Sequence, residues 1–99
     1  MRNGPATLTE PKFSMGRIVG TPGAMAALEA AGRDPMYLLR RHECGDWGDV
    51  CAEDAQSNDE SVGAGLRLLS AYTLPDGVKV WIITEADRSS TCILLPDEY

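Results

Sequence analysis

The chain is poor in several of the things that usually announce a function. It has one histidine, one phenylalanine and three cysteines. No apolar run approaches the roughly 18 residues that a membrane-spanning helix needs, so no membrane partner is expected. The odd cysteine count (Cys44, Cys51, Cys92) argues against a disulfide framework and suits a reducing compartment. No apolar stretch follows Met1 and Arg2, so a secretory signal is not expected and the cytoplasm is the expected location. Phosphate-binding glycine loops, the nucleophile elbow and the His-Glu-x-x-His motif are all missing. Positive charge is the most unevenly distributed shortage. Between Glu43 and Leu66 there is no Lys or Arg, yet there are seven acids: Glu43, Asp46, Asp49, Glu53, Asp54, Asp59 and Glu60. The rest of the chain carries eight acids and nine bases, so the net charge of −6 resides almost wholly in that one segment. Such a segment repels a phosphate backbone and argues against direct DNA binding.

What is present reads as one domain. Ninety-nine residues, 43% of them hydrophobic and 24% charged, suffice for one modest core. Residues 1–12 hold Gly4, Pro5 and Pro11 without periodicity and read as a flexible tail, leaving 13–99 as the domain. Phe13 to Val19 alternates imperfectly and predicts a short edge strand, weakened by Gly16. Thr21-Pro22 and Asp34-Pro35 are twin helix starts, each an N-cap side chain followed by proline where its missing N–H is harmless. They open helices through the alanine-rich run to Ala31 and from Pro35 to about Glu43, with Gly32 as the turn of an αα-hairpin. The second helix has only Arg40 and Arg41 as bases and runs into acids, which disfavours a DNA-reading helix-turn-helix.

Gly45-Asp46-Trp47-Gly48 follows as a built loop, bent on both sides of a large ring and a carboxylate. Val50 to Ala55 suggests one helical turn, and Ser57-Asn58-Asp59-Glu60 has the spacing of a capping box that starts a third helix. From Arg67 the period becomes two. Strands are expected at Arg67–Leu74, Val78–Glu85 and Thr91–Leu95, with a Pro75-Asp76-Gly77 turn. Val80-Trp81-Ile82-Ile83 is apolar on both faces and marks a central strand. The fold class is therefore α+β: a short N-terminal strand and an αα-hairpin, a third helix, then a three-stranded antiparallel meander, with Phe13–Val19 as a fourth, outer strand.

Candidate chemistry gathers around His42. A histidine at a helix C-terminus, close to Asp46 and Trp47, suits proton transfer near neutral pH. The structural alternative has His42 capping its helix and bonding Asp46 while Trp47 fills the core. If the loop after the central strand lies near, His42, Glu85, Arg88 and Thr91 make a metal-independent ribonuclease-like set, with a base to activate a 2′-hydroxyl and a cation to hold the phosphorane. Asp87 and Arg88 read equally well as a turn. His42, Cys44 and Cys51, with Asp46 or Cys92, are a weak zinc set, because no Cys-x-x-Cys exists; neither a metal nor another cofactor is expected.

Gly45-Asp46-Trp47-Gly48, Leu68-Leu69-Ser70-Ala71-Tyr72, Trp81 through Ser89 and Leu94-Leu95-Pro96-Asp97-Glu98-Tyr99 together resemble a family of small uncharacterised plasmid-related proteins. These are carried on bacterial plasmids, integrative elements and phages. The resemblance spans about 13–99, implies a mobile-element context, and brings no catalytic residue or cofactor with it. The three cysteines lie outside its pattern. Beside a structural or folding role for the whole loop, with function elsewhere on the surface, two functions are expected to compete. The preferred one is a non-catalytic modulator or inhibitor that presents Asp46, Trp47, Asp49, Glu53 and Asp54 to a protein with a basic surface. The other is a small ribonuclease-like enzyme using His42 and the Glu85–Arg88 loop. Nothing in the sequence sets the oligomeric state.

Overall fold

The computed structural model describes residues 10–99. Among these, the order is β1 (Arg17–Gly20), α1 (Pro22–Ala30), α2 (Pro35–Glu43), α3 (Ala52–Ala64), β2 (Leu68–Thr73), β3 (Lys79–Thr84) and β4 (Ser90–Leu94), then a 3-10 turn over Pro96–Glu98. The strands form one sheet in the order β1-β4-β3-β2, an α+β arrangement. β2, β3 and β4 are the expected antiparallel meander. β1 joins its far side parallel to β4, with Arg17 opposite Ser90, so the first and last strands are neighbours. Most of the predicted tail, residues 1–9, lies outside the described residues. Lys12 is tied down, its N–H donating to the Glu43 carbonyl at 2.7 Å.

The twin helix starts work as their chemistry dictates. Thr21 accepts from Ala24 N–H at 3.1 Å and Asp34 from Met36 N–H at 2.9 Å. Gly32 adopts φ 68° behind α1, as a left-handed helix stop requires. α1 and α2 lay Ala24, Leu28, Leu38 and Leu39 on the sheet face bearing Tyr72, Val80, Ile82 and Ile93. Burying each large aliphatic side chain there contributes about 1.5–3 kcal/mol. On the opposite face Ile83 and Leu94 are buried, and Trp81 meets Tyr99 edge-on with ring centroids 5.7 Å apart.

The capping box does not form. α3 begins five residues before Ser57, at Ala52, with Cys51 as its N-cap. Ser57 is thus mid-helix, and its carbonyl accepts from the Ser61 hydroxyl at 2.7 Å. Val50–Ala55 and the predicted third helix merge into one. Its positive end is complemented by Glu53 and Asp54 in the first turn, which satisfies the dipole as well as a box at Ser57 would.

β2 and β1 are the two edges of the sheet, and they are treated differently. Along β2 the Asn58 amide acts as a surrogate strand: it donates to Leu69 O at 2.8 Å and accepts from Leu69 N–H at 3.3 Å. Two residues on, Ala71 N–H donates to Trp47 O at 3.1 Å and Ala71 O accepts from Asp49 N–H at 2.6 Å. This edge is covered at Leu69 and Ala71. β1 has no such cover among the described residues, and all four of its residues are exposed.

Candidate functional site

His42 leaves the end of α2 pointing inward rather than toward Asp46. Its ring is fully buried, with Nδ1 2.5 Å from the Ser70 hydroxyl and Nε2 2.9 Å from that of Thr84. Thr84 lies 2.7 Å from Thr91 Oγ1, which donates to Met15 O at 2.8 Å. Counting protons along this chain fixes the tautomer. Thr91 gives its proton to a carbonyl, so Thr84 must donate to Thr91 and His42 Nε2–H to Thr84. Nδ1 then accepts from Ser70, and every buried polar atom in the chain is satisfied by a neutral ring. Burial, and secondarily the charge of Arg88, push the imidazole from 6.5 down to about 3. Phe13 and Trp47 close over it edge-on, at 5.2 and 5.7 Å between centroids.

The rest of the ribonuclease-like set serves other ends. Thr91 does join His42, through Thr84, but as a buried hydroxyl. The Glu85 carboxylate faces outward and pairs with Arg67 at 3.2 Å. Arg88 occupies a left-handed backbone position, φ 61°, and threads its guanidinium to carbonyls at the end of α3. It donates to Ser61 O at 2.9 Å, Leu66 O at 2.7 Å and Ala86 O at 3.1 Å. Its cation sits over the Phe13 ring, 5.7 Å from the centroid, so Phe13 stands between Arg88 and His42. Carbonyls at a helix C-terminus need donors, and Arg88 supplies them.

No protein-family model, curated protein or solved structure matches the chain. The chemistry of the site therefore rests on its own geometry. Among the described residues no three His, Cys, Asp or Glu side chains gather where a metal ion would be held, and both His42 nitrogens already have hydroxyl partners. No helix of the described residues is long and apolar enough to cross a membrane.

The acidic candidates divide. Asp46 grips Arg41 through both carboxylate oxygens, at 2.7 and 3.3 Å, and accepts from Gly48 N–H. The Arg41 bond holds its carboxyl below the usual range. Arg41 in turn stacks over Tyr72, whose hydroxyl donates to Asp46 O at 2.6 Å. Asp46 is thus the organiser of the loop. Trp47 is not a surface side chain: at 5% exposure it packs parallel to Phe13 and donates from Nε1 to Asp59 at 2.9 Å. Gly48 bridges to Ala71, and a β-carbon there would run into the Ala71 carbonyl and the Tyr72 ring. Asp49 accepts from Thr73 Oγ1 at 2.6 Å. Glu53 and Asp54 remain exposed on α3, with no side-chain bond among the described residues.

Sequence reasoning missed Ser70, Thr84 and Asn58. The first two carried a signal: each is a hydroxyl residue in the inward phase of a strand otherwise apolar on that side, which implies a buried polar partner. Asn58 carried none, because its role depends on where α3 lies against β2.

Proposed function

We propose that the chain is a non-catalytic binding protein that meets a basic protein surface with the acidic face of α3. One observation carries this reading: α3 bears Glu53, Asp54, Asp59 and Glu60 without a single Lys or Arg, and all four are exposed. A face of one charge sign on a rigid helix raises the encounter rate with an oppositely charged surface and excludes nucleic acid as a competitor. The neutral, sealed His42 supports a binding role over proton transfer, since a general base must reach its substrate's proton. The mobile-element setting rests on the sequence resemblance alone, and with it the role of modulator of a host system.

The test uses immobilised protein and nuclease-treated bacterial lysate, with bound proteins identified by mass spectrometry. Wild type should retain proteins with basic surfaces, and retention should fall as salt shortens the reach of the field to about 10 Å at 0.1 M. The triple neutralisation Glu53→Gln, Asp54→Asn, Glu60→Gln should lose most of it. Retention that survives both salt and neutralisation, or RNA cleavage abolished by His42→Gln alone, would overturn the proposal.

A further inference from the structure

We propose that the chain pairs with a second copy of itself through β1, antiparallel about a two-fold axis at Val19, joining two four-stranded sheets into one continuous sheet.

The backbone supplies the reason. In a parallel ladder, alternate residues of a strand face the neighbour. Arg17 N–H donates to Ser89 O at 3.0 Å and Thr21 N–H to Ile93 O at 2.9 Å, so Arg17, Val19 and Thr21 face β4. Ile18 and Gly20 therefore turn their N–H and C=O outward, and no hydrogen bond engages them among the described residues. β2, by contrast, has its outward groups answered at Leu69 and Ala71. Among the described residues β1 offers another strand two outward-facing residues in ladder spacing, whereas on β2 the corresponding groups of Leu69 and Ala71 are taken and Thr73 alone stays open.

A second copy fits that ladder better than an arbitrary strand does. With the axis at Val19, Ile18 lies opposite Gly20 of the second copy, and each such pair exchanges both of its backbone hydrogen bonds. The side chains are self-complementary in this register. Ile18, 43% exposed, crosses to a glycine that Met25, itself 38% exposed, already covers, since a β-carbon on Gly20 would lie 2.5 Å from the Met25 sulfur; Ile18 of the second copy thus meets the Met25 side chain. Val19, also 43% exposed, meets its own copy on the axis as a close non-hydrogen-bonded pair. Arg17 faces Thr21 of the second copy, whose hydroxyl holds Glu98 at 2.6 Å, so opposite charges approach at both ends of the ladder. Because the pairing is isologous and β2 is covered at Leu69 and Ala71, assembly stops at two.

Sedimentation velocity on the full chain, from low micromolar to millimolar concentration, should show a monomer–dimer equilibrium. Hydrogen exchange gives the residue-level readout: the Ile18 and Gly20 amides should exchange rapidly when dilute and slow as the dimer fills, while the Leu69 amide is protected throughout. Val19→Lys sets two like charges face to face on the axis and should weaken the dimer by about tenfold or more. In a Cys51→Ser, Cys92→Ser background, which removes the thiol opposite Val19 on β4, Val19→Cys should oxidise to a linked dimer and Ile18→Cys should not, which reads the register directly. A monomer at every concentration overturns the proposal. So does a dimer in which the Ile18 and Gly20 amides stay unprotected, since another surface, such as exposed Met36 and Tyr37 on α2, would then be the interface. The exchange measurement is made on wild type, so a variant that fails to fold does not blunt the test.

Discussion

Acidification should destabilise this protein well above the pH at which its carboxylates protonate, and through a single residue. His42 is the only histidine, neutral when folded with its pKa near 3, and free to take up a proton near 6.5 once unfolded. The unfolded state therefore binds more protons at any pH below 6.5, and stability falls as pH falls. The contribution is fully present above 6.5 and is lost progressively down to about 3. Between pH 7 and pH 5 the linkage amounts to about 2 kcal/mol, a substantial part of the 5–15 kcal/mol typical of a domain. Ordinary carboxylates stay ionised across that window, so the slope belongs to His42. Below it, Asp46, Asp87 and Glu98, whose hydrogen bonds hold them below their usual range, add losses of the same sign. Urea unfolding at half-unit pH steps would read this as a midpoint lower by roughly 0.7–2 M at pH 5 than at pH 7, using a slope of 1–3 kcal/mol/M. NMR of the imidazole should show Nε2–H and no titration in the folded protein down to pH 5. A flat midpoint across the window, or a folded ring that titrates near 6.5, would refute the buried neutral chain from His42 to Met15.

Other substitutions test the remaining supports. Trp47→Ala should cost about 3–5 kcal/mol in urea unfolding, as expected for a core aromatic; an unchanged midpoint would place the ring at the surface instead. Asn58→Ala should cost about 1–3 kcal/mol by orphaning Leu69 N–H and C=O, and light scattering should show aggregation on heating that wild type resists. At Arg88, thermal melts should rank Arg88→Gly above Arg88→Ala by roughly 1 kcal/mol, because both lose the guanidinium but only glycine is at ease at φ 61°. Equal melting temperatures would show that the backbone there is unstrained.

The parts legible in the sequence were those encoded locally. Thr21-Pro22 and Asp34-Pro35 each carry a complete helix start, and the alternation from Leu68 onward carries the meander, so both appear as expected. Val80 and Ile82 proved to be in the core for the same reason. The Ser57–Glu60 box misled because its spacing is equally at home inside a helix, where Ser61 turns back on Ser57 O. The parallel pairing of β1 with β4 was invisible, since it joins residues more than seventy positions apart and nothing within β1 specifies its partner. The candidate site failed for a related reason. His42, Glu85 and Arg88 are chemically suited to catalysis, but burial and hydrogen-bond partners decide their use, and those come from Ser70, Thr84, Phe13 and the end of α3.

The Asn58 amide that covers β2 at Leu69 also bears on the order in which the molecule assembles. It reaches Leu69 across only eleven positions, and α3 runs into β2 through a three-residue connection, so this contact closes a short loop. The outer margin of β2 is thus shielded by its own preceding helix early, while its inner margin still waits for β3. β1 stands differently: among the described residues its sheet neighbour is β4, more than seventy positions away, so docking it closes a far longer loop. The covered edge is the one reached by a short loop, and the edge left open among the described residues is the one reached by a long one.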